Sequence, residues 1–296
     1  MTEAASPTLQ KRLFSEKYYN AGKGKTRVSS TGNPLIRSLW NFCSYKRKGI
    51  DSLTLSQKQP FVLDLGSGSG AYSNWFLGKN PQATIIAVDW SFSALRHFAK
   101  SPKGTICRVC ADAHFLPFKP ETFNTLFSVD TLGHVSELCL VLDELVRVAR
   151  YGAQIFLHSE CSDYRFRWPD SWLIRKNSRD VVAELDGHFS LHTSEDIHSL
   201  YHQRFYIRSF FSPAGILGWL TGYPEKYRIA FKQARWHLFT AVTTIMALIK
   251  KMPFTGLLLR IFNAITNRME LFLGLYGGGS CFALLEKPPS VKNKNR

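Results

Sequence analysis

A glycine-rich segment, DLGSGSG at residues 64–70, directly follows a short apolar run. Glycines let the backbone approach a ligand closely, and a helix that begins after the segment presents unpaired N–H groups. With Ala71 the segment also fits the G-x-G-x-x-A pattern of dinucleotide-binding folds, which is weak evidence when it stands alone. Asp89 ends the next apolar run, 19 residues after Gly70, the spacing at which a carboxylate accepts both ribose hydroxyls of a nucleoside. Together they predict a nucleoside-containing ligand, and we expect Trp90 to lie along its adenine ring.

Strands and helices must position these residues, and the sequence indicates them by short apolar runs that alternate with longer amphipathic stretches. This alternation is typical of a parallel sheet covered by helices on both faces. Further along, Thr193 and Asp196 form a helix-capping pattern that leads into a sixth strand over 205–211, and residues 280–287 predict a seventh. Five buried strands are predicted over 61–65, 84–89, 105–110, 124–130 and 153–159, and helices over 71–79, 91–101 and 136–150, with helix stops at 101–105 and Tyr151-Gly152.

The charge of the chain is concentrated at its two ends. Its 296 residues are 45% apolar and 20% charged, which is the composition of a globular protein and excludes disorder, collagen and a disulfide-stapled miniprotein. Of the net charge of +16, residues 1–60 carry +8 (11 basic, 3 acidic) and residues 213–296 carry +9 (12 basic, 3 acidic). Basic ends attract polyanions, and charge alone does not discriminate nucleic acid from an anionic membrane face.

Residues 213–278 lie between the last two predicted strands and are rich in aromatic and aliphatic residues. The longest uncharged run, 236–249, is shorter than the ~20 residues that a bilayer-spanning helix needs. The segment predicts amphipathic helices with a basic face, suited to an interfacial membrane contact or to an apolar substrate lid. We expect its apolar face to include Trp219, Phe231, Trp236, Phe239, Leu257, Leu258, Leu259 and Phe262, and its basic face Lys226, Arg228, Lys232, Arg235, Lys250 and Lys251.

Six cysteines are spread over the chain, and the N-terminus has no apolar run typical of a secretory signal. We therefore expect free thiols in a reducing, cytoplasmic compartment. Cys107 and Cys110 are predicted on one strand, where residues three apart point to opposite faces, so we interpret both as core thiols. His198 and His202 share a helical face but lack a third ligand, and no metal is expected.

Three stretches in order, VLDLGSGSG (62–70), ADAHFLPFKPETFNTLFSVDTLGHV (111–135) and ELVRVARYG (144–152), resemble the class I S-adenosylmethionine-dependent methyltransferases. The resemblance is to the type 11 group, which includes the ubiquinone/menaquinone methyltransferases. It implies S-adenosylmethionine as cofactor and an α/β Rossmann-like methyltransferase fold with a mostly parallel seven-stranded sheet, helices on both faces and a helical insertion between the last two strands.

The resemblance also implies roles for individual residues. Asp64 would orient the methionine part of the cofactor and Asp89 would hold its ribose. Asp112 would contact the adenine amine and the Ala113 backbone would face the ring. The loop residues Gly66, Ser67, Gly68 and Gly70 would line the cofactor, and Ser128, Val129 and Asp130 would form the strand end beneath the sulfonium. An N-terminal aromatic, Tyr18 or Tyr19, would fold over the cofactor.

A general base is required only if the acceptor loses a proton before or during attack. His134 is our catalytic candidate because it follows the fourth strand at the carboxyl edge of the sheet, and His158 and Glu160 come next. Family members commonly have an acidic residue between Leu132 and His134, where this chain has Gly133.

We predict a basic N-terminal arm or helical cap (1–60), a cofactor-binding core (61–212), an apolar, basic helical insertion (213–278), and the last strand with a basic tail (279–296). The predicted function is methyl transfer to a small hydrophobic or lipid-like acceptor, with the protein cytoplasmic or peripheral at the inner membrane face. One alternative is an RNA (tRNA) methyltransferase. Another is a non-catalytic nucleotide-cofactor-binding protein or an NAD-dependent oxidoreductase.

Overall fold

The computed structural model describes residues 33–55, 60–98, 104–163, 169–178, 180–188, 191–221 and 223–289. Tyr18 and Tyr19 therefore lie outside the described residues. A seven-stranded sheet has the order β3-β2-β1-β4-β5-β7-β6, in which β7 runs antiparallel to both of its neighbours and the other pairs are parallel. The strands are β1 (Phe61–Leu65), β2 (Thr84–Asp89), β3 (Thr105–Cys110), β4 (Phe123–Ser128), β5 (Ala149–Glu160), β6 (Tyr206–Phe211) and β7 (Ser280–Glu286). This architecture confirms the predicted fold class.

The helices of the described residues cover both faces of the sheet and the chain between β6 and β7. Each face carries its own apolar cluster, one around Leu142, Leu145 and Ile155 and one around Trp75, Phe76 and Phe127. The helices are α1 (Pro34–Cys43), α2 (Tyr45–Ser52), α3 (Ala71–Lys79), α4 (Phe92–Arg96), α5 (Leu138–Val148), α6 (Asp170–Asn177), α7 (Val181–Asp186), α8 (Ser194–His202), α9 (Gly218–Thr221), α10 (Pro224–Gln233), α11 (His237–Lys251) and α12 (Pro253–Phe272).

Two local predictions are wrong. The helix predicted from residue 91 is shorter, since α4 ends at Arg96. Helix α5 ends at Val148 and β5 begins at Ala149, so Tyr151-Gly152 belong to the strand and are not a helix stop. Tertiary contacts extend β5 to Ala149, because Ala149 pairs with Phe123 of β4 and the Gly152 N–H donates to the Lys287 carbonyl oxygen.

Strand β3 differs from the expectation that all five central strands are buried. It is the edge strand of the sheet, and its side chains are exposed or half-buried. Cys107 and Cys110 are both exposed, so the prediction that they are core thiols is wrong. An edge strand has a neighbour on one side only, and no sequence pattern marked β3 as the last in the order.

The insertion attaches to the core through a third apolar cluster. The Trp172 and Trp236 rings stack with centroids 3.9 Å apart, and Phe231 of α10 is fully buried in the same cluster as Leu173 of α6. The Tyr227 hydroxyl donates to Asp170 Oδ1 at 2.7 Å. The expectation that Trp219, Phe231, Trp236 and Phe239 form an outward apolar face is therefore wrong for these aromatics, because they pack against one another and against α6.

Candidate cofactor and acceptor site

A cavity of about 480 Å³ opens at the carboxyl ends of β1, β2, β4 and β5. Parallel strands end together at this edge of the sheet, which is where ligands bind in open α/β folds. One half is walled by the strand ends and the loops that follow them; the other is walled by α7, α10 and the end of β5. The first half is lined by Leu65, Gly66, Val88, Asp89, Trp90, Ala111, Asp112, Ala113 and His114, and the second by Lys46, Asp130, His134, His158, Glu160, Val182, Leu185, His188, Tyr223 and Tyr227.

The glycine loop is fixed by hydrogen bonds to β2. The Gly66 and Ser67 N–H groups donate to the Val88 carbonyl oxygen at 2.8 and 2.9 Å. Asp89 Oδ2 accepts from the Gly68 N–H at 2.8 Å, and its Oδ1 accepts from the Ser91 N–H at 2.8 Å. Asp89 thus holds the loop in place while it lines the cavity.

Gly66 is needed in the loop for two reasons. Its φ of +73° lies in the left-handed region, which other residues adopt at a cost. An ideal Cβ at this position would lie 2.0 Å from Thr131 Oγ1. The cavity floor therefore admits no side chain here, and a ligand meets bare backbone.

The structure divides the predicted cofactor residues into two groups. Gly66, Asp89, Trp90, Asp112 and Ala113 line the cavity, as does His134. The remaining residues, Asp64, Ser67, Gly68, Gly70, Ser128 and Val129, support this wall without lining it. The roles of both groups stay predictions.

Two of the supporting residues have clear structural partners. The Ser128 hydroxyl donates to the Leu65 carbonyl oxygen at 2.9 Å, which joins the ends of β1 and β4. Asp64 is buried and accepts a hydrogen bond from the Ser73 hydroxyl at 2.5 Å. Burial raises the pKa of the Asp64 carboxyl to about 7, although this hydrogen bond acts in the opposite direction.

Asp112 shapes the loop after β3. Its Oδ1 accepts from the His114 N–H at 2.9 Å and contacts His114 Nδ1 at 2.6 Å. The side chain therefore closes a tight turn that places Ala113 on the cavity wall.

His134 lies in a single 3₁₀ turn, Leu132–His134, after β4. Its Nδ1 lies 3.0 Å from the Gly187 carbonyl oxygen, which requires a proton on Nδ1 and leaves Nε2 as an acceptor in the neutral ring. The ring also contacts His188, with centroids 4.8 Å apart. His134 thereby joins the loop after β4 to the end of α7.

A cluster of titratable groups borders the second half of the cavity. The Lys46 ammonium of α2 pairs with the Asp130 carboxylate, and His158 Nδ1 lies 3.4 Å from Asp130 Oδ1 and 3.7 Å from Glu160 Oε1. Sequence reasoning named Asp130, His158 and Glu160 but missed Lys46. No local signal distinguishes Lys46 from the other basic residues of the N-terminal arm, because its partner lies 84 residues further along the chain.

Comparison with known proteins decides which domain this is. Residues 63–157 match the family model described as a methyltransferase domain. Over these residues the chain is similar to class I methyltransferases of the type 11 group. A demethylmenaquinone methyltransferase of Thermobifida fusca is 34% identical over 100 residues, which are 32% of this chain and 42% of that protein. A malonyl-[acyl-carrier protein] O-methyltransferase of Halorhodospira halophila is 35% identical over 99 residues, 32% of this chain and 33% of that protein.

The chain thus matches less than half of the length of these curated relatives. Among solved structures, the [4+2]-cyclase SpnF aligns over 96% of both chains with a TM-score of 0.53 and 13% sequence identity. At this identity the likeness shows the fold alone, and fold does not fix the reaction.

The similarity to methyltransferase domains implies S-adenosylmethionine as the cofactor, and the residues present fit it. Asp89 presents a carboxylate to the cavity, and ribose hydroxyls need an acceptor of this kind. Bare backbone at Gly66 leaves room for close approach, and Trp90 and Ala113 supply apolar surface for a base.

Proposed function

We propose that this chain is an S-adenosylmethionine-dependent methyltransferase that acts on a small apolar acceptor presented at a membrane surface. The observation that carries the proposal is the division of the cavity into a cofactor half at the glycine loop and a second half walled by α7, α10 and the end of β5. Side chains of Val182, Leu185, Leu191, Tyr223 and Tyr227 line that second half beside the polar cluster described above, so it suits an apolar molecule that carries a polar group.

The chemistry asks little of the protein beyond placement. S-adenosylmethionine supplies a methyl group that its sulfonium already activates. The glycine loop and Asp89 hold one end of the cavity in a fixed position, and Tyr223 and Tyr227 close the other. Fixing two reactants in line contributes up to ~7–11 kcal/mol in favourable cases.

The outer face of the insertion supports action at a membrane. Helices α11 and α12 carry exposed apolar side chains at helical spacing, the reverse of the usual pattern in which the apolar face is buried. Leu238 is 71% exposed, Phe254 73% and Phe272 90%. We call these residues the apolar stripes: Leu238, Ile245, Leu248 and Met252 on and after α11, and Phe254, Leu258, Phe262, Ile265, Met269 and Phe272 on α12.

Basic residues accompany the apolar stripes. Lys232, Arg235, Lys251 and Arg260 are exposed on or next to these helices. Lys226 is instead paired with Asp186 at the cavity, and Lys250 is paired with Glu225. A surface that combines exposed apolar side chains with cations is typical of a segment that lies in the interface of an anionic bilayer.

Among the described residues, no single helix is long and apolar enough to cross a membrane. Helices α11 and α12 meet that criterion only when they are taken together, and the chain bends by 111° between them.

We expect the full chain to bind anionic vesicles of phosphatidylglycerol and phosphatidylcholine more tightly than vesicles of phosphatidylcholine alone. Phe254→Ser and Phe272→Ser should each weaken this binding roughly 10- to 100-fold, because burying a phenylalanine side chain contributes ~1.5–3 kcal/mol. Vesicle flotation measures the bound fraction. Phe115→Ser is the matched control, since Phe115 is 76% exposed but lies on the loop after β3.

The salt dependence of binding separates the membrane from RNA as the partner. Added salt should weaken vesicle binding only in part, because screening acts on the charges and leaves the apolar contribution in place. RNA binding would instead fall steeply and log-linearly with salt through counterion release. If the protein does not float with vesicles at low salt but binds RNA with a steep salt dependence, the proposal of a lipid acceptor is wrong and RNA is the acceptor.

Methyl transfer itself is tested with methyl-labelled S-adenosylmethionine and two extracts, one of membrane lipids and one of RNA. We expect label in an apolar small molecule of the lipid extract. Label in RNA favours the RNA methyltransferase. No label in either extract, with a protein that calorimetry shows to bind NAD(H) and not S-adenosylmethionine, contradicts the proposal.

A further inference from the structure

Four polar side chains from separate parts of the chain meet at the acceptor half of the cavity. Lys46 comes from α2, Asp130 follows β4, and His158 and Glu160 end β5. The Asp130 N–H donates to His158 Nδ1 at 3.3 Å, and Lys46 pairs with the Asp130 carboxylate. This network ties the loop after β4 to β5 and leaves Glu160 facing the cavity.

The position of Glu160 depends on Gly133. The Gly133 N–H donates to Glu160 Oε2 at 3.2 Å. An ideal Cβ on residue 133 would lie 2.8 Å from the same oxygen and 3.1 Å from the Glu160 Cβ. The carboxyl group of Glu160 therefore occupies the space that a side chain at position 133 would take, which explains how β5 brings an acidic group to this point of the wall.

The charges around Glu160 set its protonation. Burial and the neighbouring Asp130 raise the pKa of Glu160 to about 8. The side chain of Asp130 is 47% exposed, and Lys46 holds its pKa well below the usual range against the desolvation that neighbouring groups impose. Burial and the Lys46 charge lower the pKa of His158 to about 3, so its ring is neutral. At neutral pH the charges of the cluster therefore cancel, because a charged Lys46–Asp130 pair lies beside a protonated Glu160 and a neutral His158.

The remaining groups near Glu160 do not change this balance. His188, after α7, lies 4.0 Å from Glu160 Oε1, and burial together with His134 lowers the pKa of His188 to about 4. Tyr72 of α3 and Tyr223 of the insertion interact electrostatically with Lys46. Burial raises the pKa of Tyr72 to about 12, so that phenol stays neutral.

We propose that Glu160 accepts the proton of a hydroxyl group on the acceptor, and that the acceptor is an apolar molecule with an ionisable hydroxyl, such as a phenol or an enol. This inference rests on the proposed methyltransferase function. The hydroxyl proton moves to the Glu160 carboxylate as the oxygen forms its bond to the methyl carbon. The methyl–sulfur bond breaks with its electron pair left on sulfur, and Glu160 then releases the proton to water.

Glu160 suits this task better than its neighbours. A general base works best when its pKa lies near the working pH, and a phenol requires a base that is not too weak. Asp130 is a weak base because it is paired with Lys46. His158 is 1% exposed and resists protonation. His134 remains the rival, since it also lines the cavity.

The first test needs no turnover. Infrared spectroscopy of the full chain, titrated from acid to alkaline pH, should show a protonated carboxyl band that disappears near pH 8 and is missing in Glu160→Gln. Glu195→Gln is the matched control, because Glu195 is exposed on α8 and lies outside the cavity. If the band assigned to Glu160 titrates in the ordinary range of glutamate, the proposal is wrong.

The second test uses two acceptor probes of equal shape, para-octylphenol and para-octylaniline, with labelled S-adenosylmethionine. We expect the wild type to methylate the phenol, with a rate that rises about tenfold per pH unit below pH 8 and then levels off. Glu160→Gln should lower turnover by ~10²–10⁴ and abolish this pH dependence, with the affinity for S-adenosylmethionine unchanged. Glu160→Asp should regain part of the rate and of the pH dependence.

Several results would overturn the proposal while leaving the methyltransferase function intact. The first is methylation of the aniline but not of the phenol. The second is turnover of neither probe by a protein that labels the lipid extract. The third is a large loss of phenol turnover in His134→Ala with no loss of turnover in Glu160→Gln. Loss of phenol methylation on chelation, restored by Mg²⁺, would make Asp130, His158 and Glu160 metal ligands instead. A wild type that binds no S-adenosylmethionine contradicts the proposed function itself.

Discussion

Asp89→Ala should weaken S-adenosylmethionine binding by roughly 10- to 100-fold, which corresponds to the ~1.5–3 kcal/mol of hydrogen bonds to a charged group. The variant loses the carboxylate expected to accept the ribose hydroxyls. It also loses the acceptors that hold the Gly68 and Ser91 N–H groups, so the glycine loop is no longer fixed. Titration calorimetry of the folded variant measures the effect.

Two further variants make this result specific. Asp89→Asn keeps one carbonyl oxygen as an acceptor and should fall between the wild type and Asp89→Ala. Asp143→Ala removes an exposed carboxylate that pairs with Arg204 on the surface of α5, and should leave cofactor affinity unchanged. A folded Asp89→Ala protein with wild-type affinity would remove Asp89 from the cofactor site.

Gly66→Ala should lower the free energy of unfolding by about 2–5 kcal/mol and abolish measurable cofactor binding. The left-handed φ of +73° costs a non-glycine residue roughly 1–2 kcal/mol. The new methyl group also collides with Thr131, and overpacking of this kind costs typically ~1–3 kcal/mol. Urea unfolding followed by circular dichroism measures the change in stability.

Gly152→Ala separates the two contributions to the Gly66 effect. Gly152 has nearly the same φ, +74°, but a Cβ there would meet nothing within 4 Å. It should therefore cost only the backbone strain and leave cofactor binding intact. Equal losses of stability in the two variants would show that the contact with Thr131 does not matter.

The sequence by itself determined the elements and residues whose signals are local. Strands β1, β2 and β3 and helix α3 begin and end where their apolar patterns do. The capping pattern of Thr193 and Asp196 is a hydrogen-bonded capping box at the start of α8. The glycine loop and Asp89 were identifiable because their chemistry depends on residue type and short spacing.

Features that depend on distant contacts escaped the sequence. The early start of β5 follows from pairing with β4, and the exposure of Cys107 and Cys110 follows from the place of β3 at the sheet edge. The aromatic residues of α10 and α11 show the same apolar pattern in the sequence whether their side chains face a membrane or pack against one another. Only packing against α6 showed that Phe231 and Trp236 are internal and that the apolar stripes of α11 and α12 are not.

The acceptor side of the site was decided by tertiary structure for the same reason. Lys46 and Asp130 are 84 residues apart, and Gly133 and Glu160 are 27 apart, so no local pattern relates them. The pKa of a carboxyl group depends on its burial and on the charges within a few ångströms. A sequence shows a glutamate at position 160, but only the fold places it beside Asp130, in the space left by Gly133, where its proton is retained at neutral pH.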